Sequence, residues 1–163
     1  MNGISDEDLP FLSFISQVEL RKNSSELDWT MDQFAPGTHL LVDYWGITQN
    51  QDSNKLQNVS AIEAAFKKAV TACGATLLNI QLHSFGEDAG VTGVAILAES
   101  HMSIHTWPEI DYVAVDIFMC GSSNPYLALE SLNNFFEAQQ VKVTECKRGV
   151  PENREFKKPG ISF

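Results

Sequence analysis

The stretch Leu97 to Glu109, LAESHMSIHTWPE, constrains this chain more than any other. It gathers a carboxylate (Glu99), two hydroxyls (Ser100, Ser103), two imidazoles (His101, His105) and an indole (Trp107) into one short window. The runs on either side, VTGVAIL and YVAVDIFMC, are rich in β-branched and apolar residues and are expected to be strands. A turn-rich connection between two rigid strands would hold those reactive groups still. Cys120, at the end of the downstream strand, adds a thiol to the set.

The rest of the chain supplies a frame for that connection. HLLVDYW alternates Leu40, Val42 and Tyr44 on one face of a strand. Ser60 and Glu63 have the spacing of a capping box, and Ile62, Phe66, Ala69 and Cys73 recur at helical spacing, with Gly74 placed to end the helix. TLLNIQL puts Leu78, Ile80 and Leu82 on one side of a second strand, VTGVAILAE is a third, and Val113, Val115, Ile117 and Met119 mark a fourth. Asn124 followed by Pro125 has the form of an N-cap and a first-turn proline, and Leu129, Leu132 and Phe136 continue as a helical stripe. VKVTECK is the last expected strand. The order strand, helix, three strands, helix, strand predicts an α+β fold, a mainly antiparallel sheet with two helices on one face.

A chain of 163 residues suits one domain with a real core. Residues 1–37 are expected to form an N-terminal arm, either a short docked helix around Leu9, Phe11, Leu12, Phe14 and Ile15 or a mobile segment. Residues 38–149 form the body and 150–163 a surface tail. With 11 basic and 21 acidic residues the net charge is −10, which argues against nucleic acid or an anionic membrane as partner. The N-terminus, MNGISDEDLPFLSF, has acids where a signal peptide needs bases, and no stretch is long and apolar enough to span a bilayer. Cys73, Cys120 and Cys146 show neither zinc-ligand spacing nor a disulfide framework, so reduced thiols in a cytoplasm are expected.

Ser100 has two readings. A loop serine usually caps a turn, and spacing alone favours that. The alternative is attack of its hydroxyl on the carbonyl of Glu99, an acyl shift followed by β-elimination that cuts the chain and leaves a pyruvoyl group. His105, alone, would be a structural histidine; beside a candidate nucleophile, an acid/base role becomes reasonable. His101 follows the candidate cleavage point and would orient it. Two histidines and a glutamate on one extended loop make a poor ligand set, so no metal is expected. Cys120 is either buried packing or a proton donor, and Gly121 after it leaves room for a ligand. Cys73 and Cys146 fit structural positions. Phe85, Trp107 and Tyr112 are either core or faces for a base or a cation.

Taken together, ESHMSIHTWPE, the upstream GVTGVAILA, the downstream AVDIFMCG, and HLLVDYWG, CGATLLN and ECKRG resemble the S-adenosylmethionine decarboxylases of the short prokaryotic, pyruvoyl-dependent type. The resemblance covers residues 38–149. It implies a two-layer α/β sandwich and a homodimer of processed αβ units with sites near the interface. It also implies cleavage between Glu99 and Ser100, with Ser100 becoming the pyruvoyl group, and His105 and the Thr92 hydroxyl assisting. Cys120 falls on the catalytic proton donor, Glu109 on the ribose-binding carboxylate, and Trp107 and Met102 on the wall of the nucleoside pocket. Phe85 resembles an adenine-stacking aromatic, although GEDAG after it is one residue longer than the family pattern. The pyruvoyl carbonyl would take the substrate amine as a Schiff base and accept the electrons released with carbon dioxide. The implied product is decarboxylated S-adenosylmethionine, the aminopropyl donor for spermidine. Two alternatives stay open, the same chemistry on arginine or ornithine, and a non-catalytic regulatory homologue. Trp107 and Glu109 lean against the first, and Ser100, His105 and Cys120 together against the second.

Overall fold

The computed structural model describes residues 36–48 and 54–149. The expected arm up to residue 35, residues 49–53 of the polar loop, and the expected tail from residue 150 lie outside the described residues. The elements run β1 (Gly37–Trp45), α1 (Val59–Ala72), β2 (Leu77–Ser84), β3 (Val91–Leu97), β4 (Ser100–Trp107), β5 (Tyr112–Cys120), α2 (Pro125–Phe136) and β6 (Gln140–Arg148). The strands form one six-stranded sheet in the order β2-β3-β4-β5-β1-β6. Every neighbouring pair is antiparallel. The expected α+β sheet with two helices is therefore present, with one strand more than the alternation indicated. The extra strand is β4: Leu97–Glu109 is not a long connection but a tight hairpin, with Ser100–Trp107 as a full strand.

The sheet has one dry face. Leu40, Val42 and Tyr44 of β1, Met102 and Ile104 of β4, and Val113, Val115, Ile117 and Met119 of β5 are all buried there. Ile62, Phe66, Ala69 and Cys73 from α1 and Leu129, Leu132 and Phe136 from α2 join the same core cluster. Each such large apolar side chain contributes about 1.5–3 kcal/mol by leaving water. The period-2 and period-3.6 patterns both point at this core, which is why the sequence specifies the layer arrangement.

Two local readings shift. Asn58, not Ser60, caps α1: its side chain accepts the Ala61 N–H at 3.0 Å, and Ser60 lies within the helix. The polar run before the helix offered several capping residues, and the asparagine two positions earlier is the one used. In β2 the pairing steps from Leu77↔Leu97 to Asn79↔Ile96, a bulge at Leu78. That extra residue leaves Leu78 63% exposed, while Ile80 and Leu82 still pack against the core. At α2 the Asn124 side chain accepts the Tyr126 N–H at 3.0 Å, with Pro125 in the first turn as expected.

Candidate active site

The turn between β3 and β4 holds only Ala98 and Glu99, because Leu97 pairs with Ser100. Ala98 N–H donates to Thr76 O at 2.9 Å, fixing the turn against the chain leading into β2. Glu99 has φ 62°, the left-handed region in which a residue with a Cβ is uncommon. Holding it there costs about 1–3 kcal/mol. The residue after it, Ser100, is only 9% exposed, and its Oγ accepts the Cys120 N–H at 3.0 Å. A buried hydroxyl is thus held still directly after a carbonyl carried by a strained residue.

Alternation along β4 then divides its side chains. Ser100, Met102, Ile104 and Thr106 turn to the helix-covered face, while His101, Ser103, His105 and Trp107 turn to the other, which no helix among the described residues covers. Thr106 anchors the strand: its buried hydroxyl donates to Leu56 O at 2.6 Å and accepts the Val91 N–H at 2.7 Å. On the open face Thr92 pairs with His105, and Thr92 Oγ1 lies 2.8 Å from His105 Nδ1. His105 stands five residues along the strand from Ser100, about 16–17 Å away at the usual rise. The chain therefore brings Thr92 to His105, and Ser100 to the Cys120 strand end, but it does not bring the two pairs together.

Beyond His105 the open face becomes aromatic. Trp107 tilts against Tyr112 at 5.1 Å between ring centroids and against His105 at 6.0 Å, and Tyr112 stacks on Trp45 at 5.5 Å. The Tyr112 hydroxyl donates to Asp43 Oδ1 at 2.6 Å. Burial, reinforced by that carboxylate, pushes its pKa up to about 12, so it remains a donor. Trp107 is 37% exposed, so part of its ring surface is open. Glu109 sits in the short 3-10 turn Pro108–Ile110 that follows it, with its side chain exposed. Phe85 is 66% exposed and meets the His83 ring edge-on at 5.2 Å.

Met102 is different. It has no exposed surface and packs in the core beside Ile104, so a pocket-wall role for its side chain does not fit its position in the chain. Alternation along β4 places Met102 on the helix-covered face, two residues from Ser100. Cys73 is buried and donates to Val70 O at 3.2 Å, a structural thiol whose pKa burial pushes up. Cys146 pairs with His39 on the open face of β6.

A further polar cluster went unrecognised in the sequence. Ser103 Oγ donates to Asp116 Oδ2 at 2.8 Å, and His39 Nε2 faces Asp116 Oδ1 at 3.6 Å. His39 and His101 both pack on Phe118, at 5.7 and 5.3 Å, and Arg148 lies over the same ring at 5.8 Å. The available signal was the pairing of polar residues at alternate positions in three strands, His39 in HLLVDYW, Asp116 in YVAVDIFMC and Ser103 in β4. Their meeting depends on β1 lying next to β5, which no local pattern specifies.

Ser100 thus follows a strained turn residue at the end of an inner strand of an antiparallel α+β sheet. The sequence profile of S-adenosylmethionine decarboxylase matches residues 38–149. An S-adenosylmethionine decarboxylase proenzyme of Methanococcus maripaludis is 40% identical over 122 residues, which span 74% of this chain and 96% of that protein. One from Thermomicrobium roseum is 44% identical over 115 residues, 70% of this chain and 94% of that protein. The crystal structure of the adenosylmethionine decarboxylase from Aquifex aeolicus VF5 superposes with a TM-score of 0.64 at 29% identity, covering 76% of this chain and 98% of that one. The chain belongs to the S-adenosylmethionine decarboxylase family.

Proposed function

We propose that this protein is made as a proenzyme, cuts itself between Glu99 and Ser100, and then decarboxylates S-adenosylmethionine. The observation that carries the reading is the Ser100 hydroxyl, fixed by the Cys120 N–H and following the left-handed Glu99. In the cut, Oγ attacks the Glu99 carbonyl carbon, the C–N bond breaks, and the hydroxyl proton passes to the freed nitrogen. Loss of the Ser100 α-proton then breaks the Cβ–O bond and releases Glu99 as a new carboxylate terminus. Water replaces the nitrogen of the remaining fragment as ammonia, leaving a pyruvoyl group at position 100. The site fits that group, because residue 100 is shielded from bulk water and lies beside a thiol-bearing strand end.

When present, the pyruvoyl carbonyl supplies an electron sink for the carbon that loses carbon dioxide. The surrounding residues supply the rest. Cys120, half-buried at the end of β5, is placed to return a proton to that carbon. A Cβ at Gly121, the next residue, would meet nothing within 4 Å, so a ligand has room to approach the thiol. Trp107 offers a face to the nucleoside and Glu109 a carboxylate to ribose hydroxyls, and Phe85 offers an exposed ring to adenine.

In this reading Thr92 and His105 serve the cut from the other subunit, which the distance between His105 and Ser100 along β4 supports. Two copies stacked open face to open face, with β4 running in opposite senses, would lay the Thr92–His105 pair of each over the end of its neighbour's sheet that carries the Ala98–Glu99 turn and Cys120. Leu41, Ile96 and Trp107 leave apolar surface on that face for such a homodimer. We place the enzyme in the cytoplasm, where its three free cysteines would stay reduced. Among the described residues no helix is long and apolar enough to cross a membrane.

The reading is tested by offering S-adenosylmethionine, arginine and ornithine separately to the processed protein and measuring carbon dioxide. Release from S-adenosylmethionine alone is expected. Release from arginine or ornithine, with none from S-adenosylmethionine, would overturn the substrate assignment and leave the self-processing intact.

A further inference from the structure

Gly37 opens β1 although neither its backbone nor the pairing of the sheet demands a glycine. Gly46, Gly74, Gly86, Gly121 and Gly149 have positive φ, and Gly37 does not. At Gly90 and Gly93 a Cβ would run into neighbouring backbone, Thr106 O at 2.0 Å and Gln81 O at 2.5 Å. At Gly37 a Cβ would meet side chains instead, the Phe118 ring at 2.6 Å and Cys120 Sγ at 3.3 Å. Glycine weakens a strand, so its use here marks a close approach. What approaches is the ring of Phe118.

That ring lies over β1 on the open face and is held on several sides. It tilts against His101 at 5.3 Å between centroids and meets His39 edge-on at 5.7 Å, with the Arg148 guanidinium 5.8 Å from its centre. Gly37 pairs with Cys120, which stands two residues beyond Phe118 on the same face of β5. Ring edge and sulfur therefore converge above the glycine, within about 6 Å of each other, near the reach of a sulfur–aromatic contact. The thiol has no room to swing further toward β1, because the ring fills that space. Its free side is past Gly121, where a Cβ would meet nothing within 4 Å.

We infer that Phe118 positions the Cys120 thiol for proton return, and that Gly37 makes the room for it. This rests on the reading of Cys120 as proton donor given above. Phe118 is a positioning residue, acting through the thiol and on no reacting atom. A thiol free to rotate spends part of its time turned from the carbon it must protonate. Proton transfer needs the donor within hydrogen-bond reach, so the cost of removing the ring falls on kcat more than on KM.

The test compares wild type with Phe118→Leu, Gly37→Ala and the double variant, in two readouts. The first is the rate at which iodoacetamide alkylates Cys120, followed by peptide mass in chains that also carry Ser100→Ala, so that no pyruvoyl group is needed. Phe118→Leu should raise that rate by about three- to tenfold, since thiol reactivity follows exposure. The second is turnover of S-adenosylmethionine per cut chain. Phe118→Leu and Gly37→Ala should each lower kcat by about ten- to a hundredfold, the cost of a misplaced catalytic group, with KM changed less than about twofold. The double variant should be no slower than the slower single one, because leucine lacks the ring atoms that the added methyl would strike.

Unchanged alkylation in Phe118→Leu, a raised KM at unchanged kcat, or losses that multiply in the double variant would overturn the proposal. Should Gly37→Ala not fold, Phe118→Leu decides alone, since its side chain lies on the open face of β5 and not in the helix-covered core. If wild type releases no carbon dioxide from S-adenosylmethionine, the decarboxylase reading falls and this assignment with it. A wild type that turns over, matched in kcat by Phe118→Leu, sinks this assignment alone.

Discussion

At one end of β4, Ser100 points into the protected face, held by the backbone of Cys120 after a strained two-residue turn. At the other end His105 points to the open face, bonded to Thr92 on β3 and flanked by Trp107. The first end has a buried hydroxyl, a strained turn residue and, on the open face of β5, a thiol, but no imidazole bonded to the serine among the described residues. The second has an imidazole and a hydroxyl but no bond to break. One strand thus carries two incomplete sets, on opposite faces and too far apart to act on each other. The difference teaches that strand parity and rise, more than sequence proximity, decide which residues can cooperate.

The sharpest way to break this comparison is complementation, with an all-or-none effect. Ser100→Ala and His105→Ala chains should each remain uncut when made alone. Made together, they should yield cut His105→Ala chains, because a Ser100→Ala partner still supplies His105. If mixing restores nothing although the chains associate, the division between subunits is wrong.

The next effect is large but confined to turnover. Cys120→Ala keeps the backbone N–H that holds Ser100, so fragments should still appear on a gel. Carbon dioxide release should fall by about a hundredfold or more, the usual share of a positioned proton donor. Full activity in the processed variant would remove the thiol from the mechanism.

A smaller change probes the strain itself. Glu99→Gly relaxes a left-handed residue, since glycine adopts that conformation freely. Cleavage should slow by about tenfold, equivalent to about 1.4 kcal/mol at the barrier. Unchanged cleavage kinetics would mean that the turn contributes geometry without strain.

The smallest effect lies in the cluster at the Ser100 end. His39 is held below its ordinary pKa chiefly by burial. The unfolded chain therefore takes up the proton first as pH falls, so the contribution of His39 to stability is present above about pH 6.5 and lost on acidification through its lowered folded value. Denaturant midpoints should fall on going from about pH 7 to about pH 5, and by less in His39→Gln. An identical fall in both proteins would exclude His39 as a source.

The same comparison shows what was legible in the sequence. Tyr44, Phe66, Ile117 and Phe136 announced the core through periodicity, and Asn124 with Pro125 announced a helix start. The hydroxyls and imidazoles crowding Ser100–Trp107 point to a connection in the sequence, although Met102 and Ile104 alternate with them as in any half-buried strand. Once the two-residue turn is known, its register pairs Thr92 with His105 directly. The split between Ser100 and His105 follows from the same parity. The His39, Asp116 and Arg148 cluster was not legible, because it needs β6 and β5 on either side of β1, a long-range pairing. The role of Met102 was carried over by resemblance, and its burial could only be seen once the strand was placed.

The most direct test of the central claim is the intact mass of the purified wild-type protein, with Ser100→Ala beside it. Two fragments are predicted, divided between Glu99 and Ser100, the downstream one carrying a pyruvoyl mass at its blocked N-terminus, while Ser100→Ala gives one uncut chain. A single full-length wild-type mass in fresh and aged preparations alike, or cleavage at the same bond in Ser100→Ala, would contradict the account.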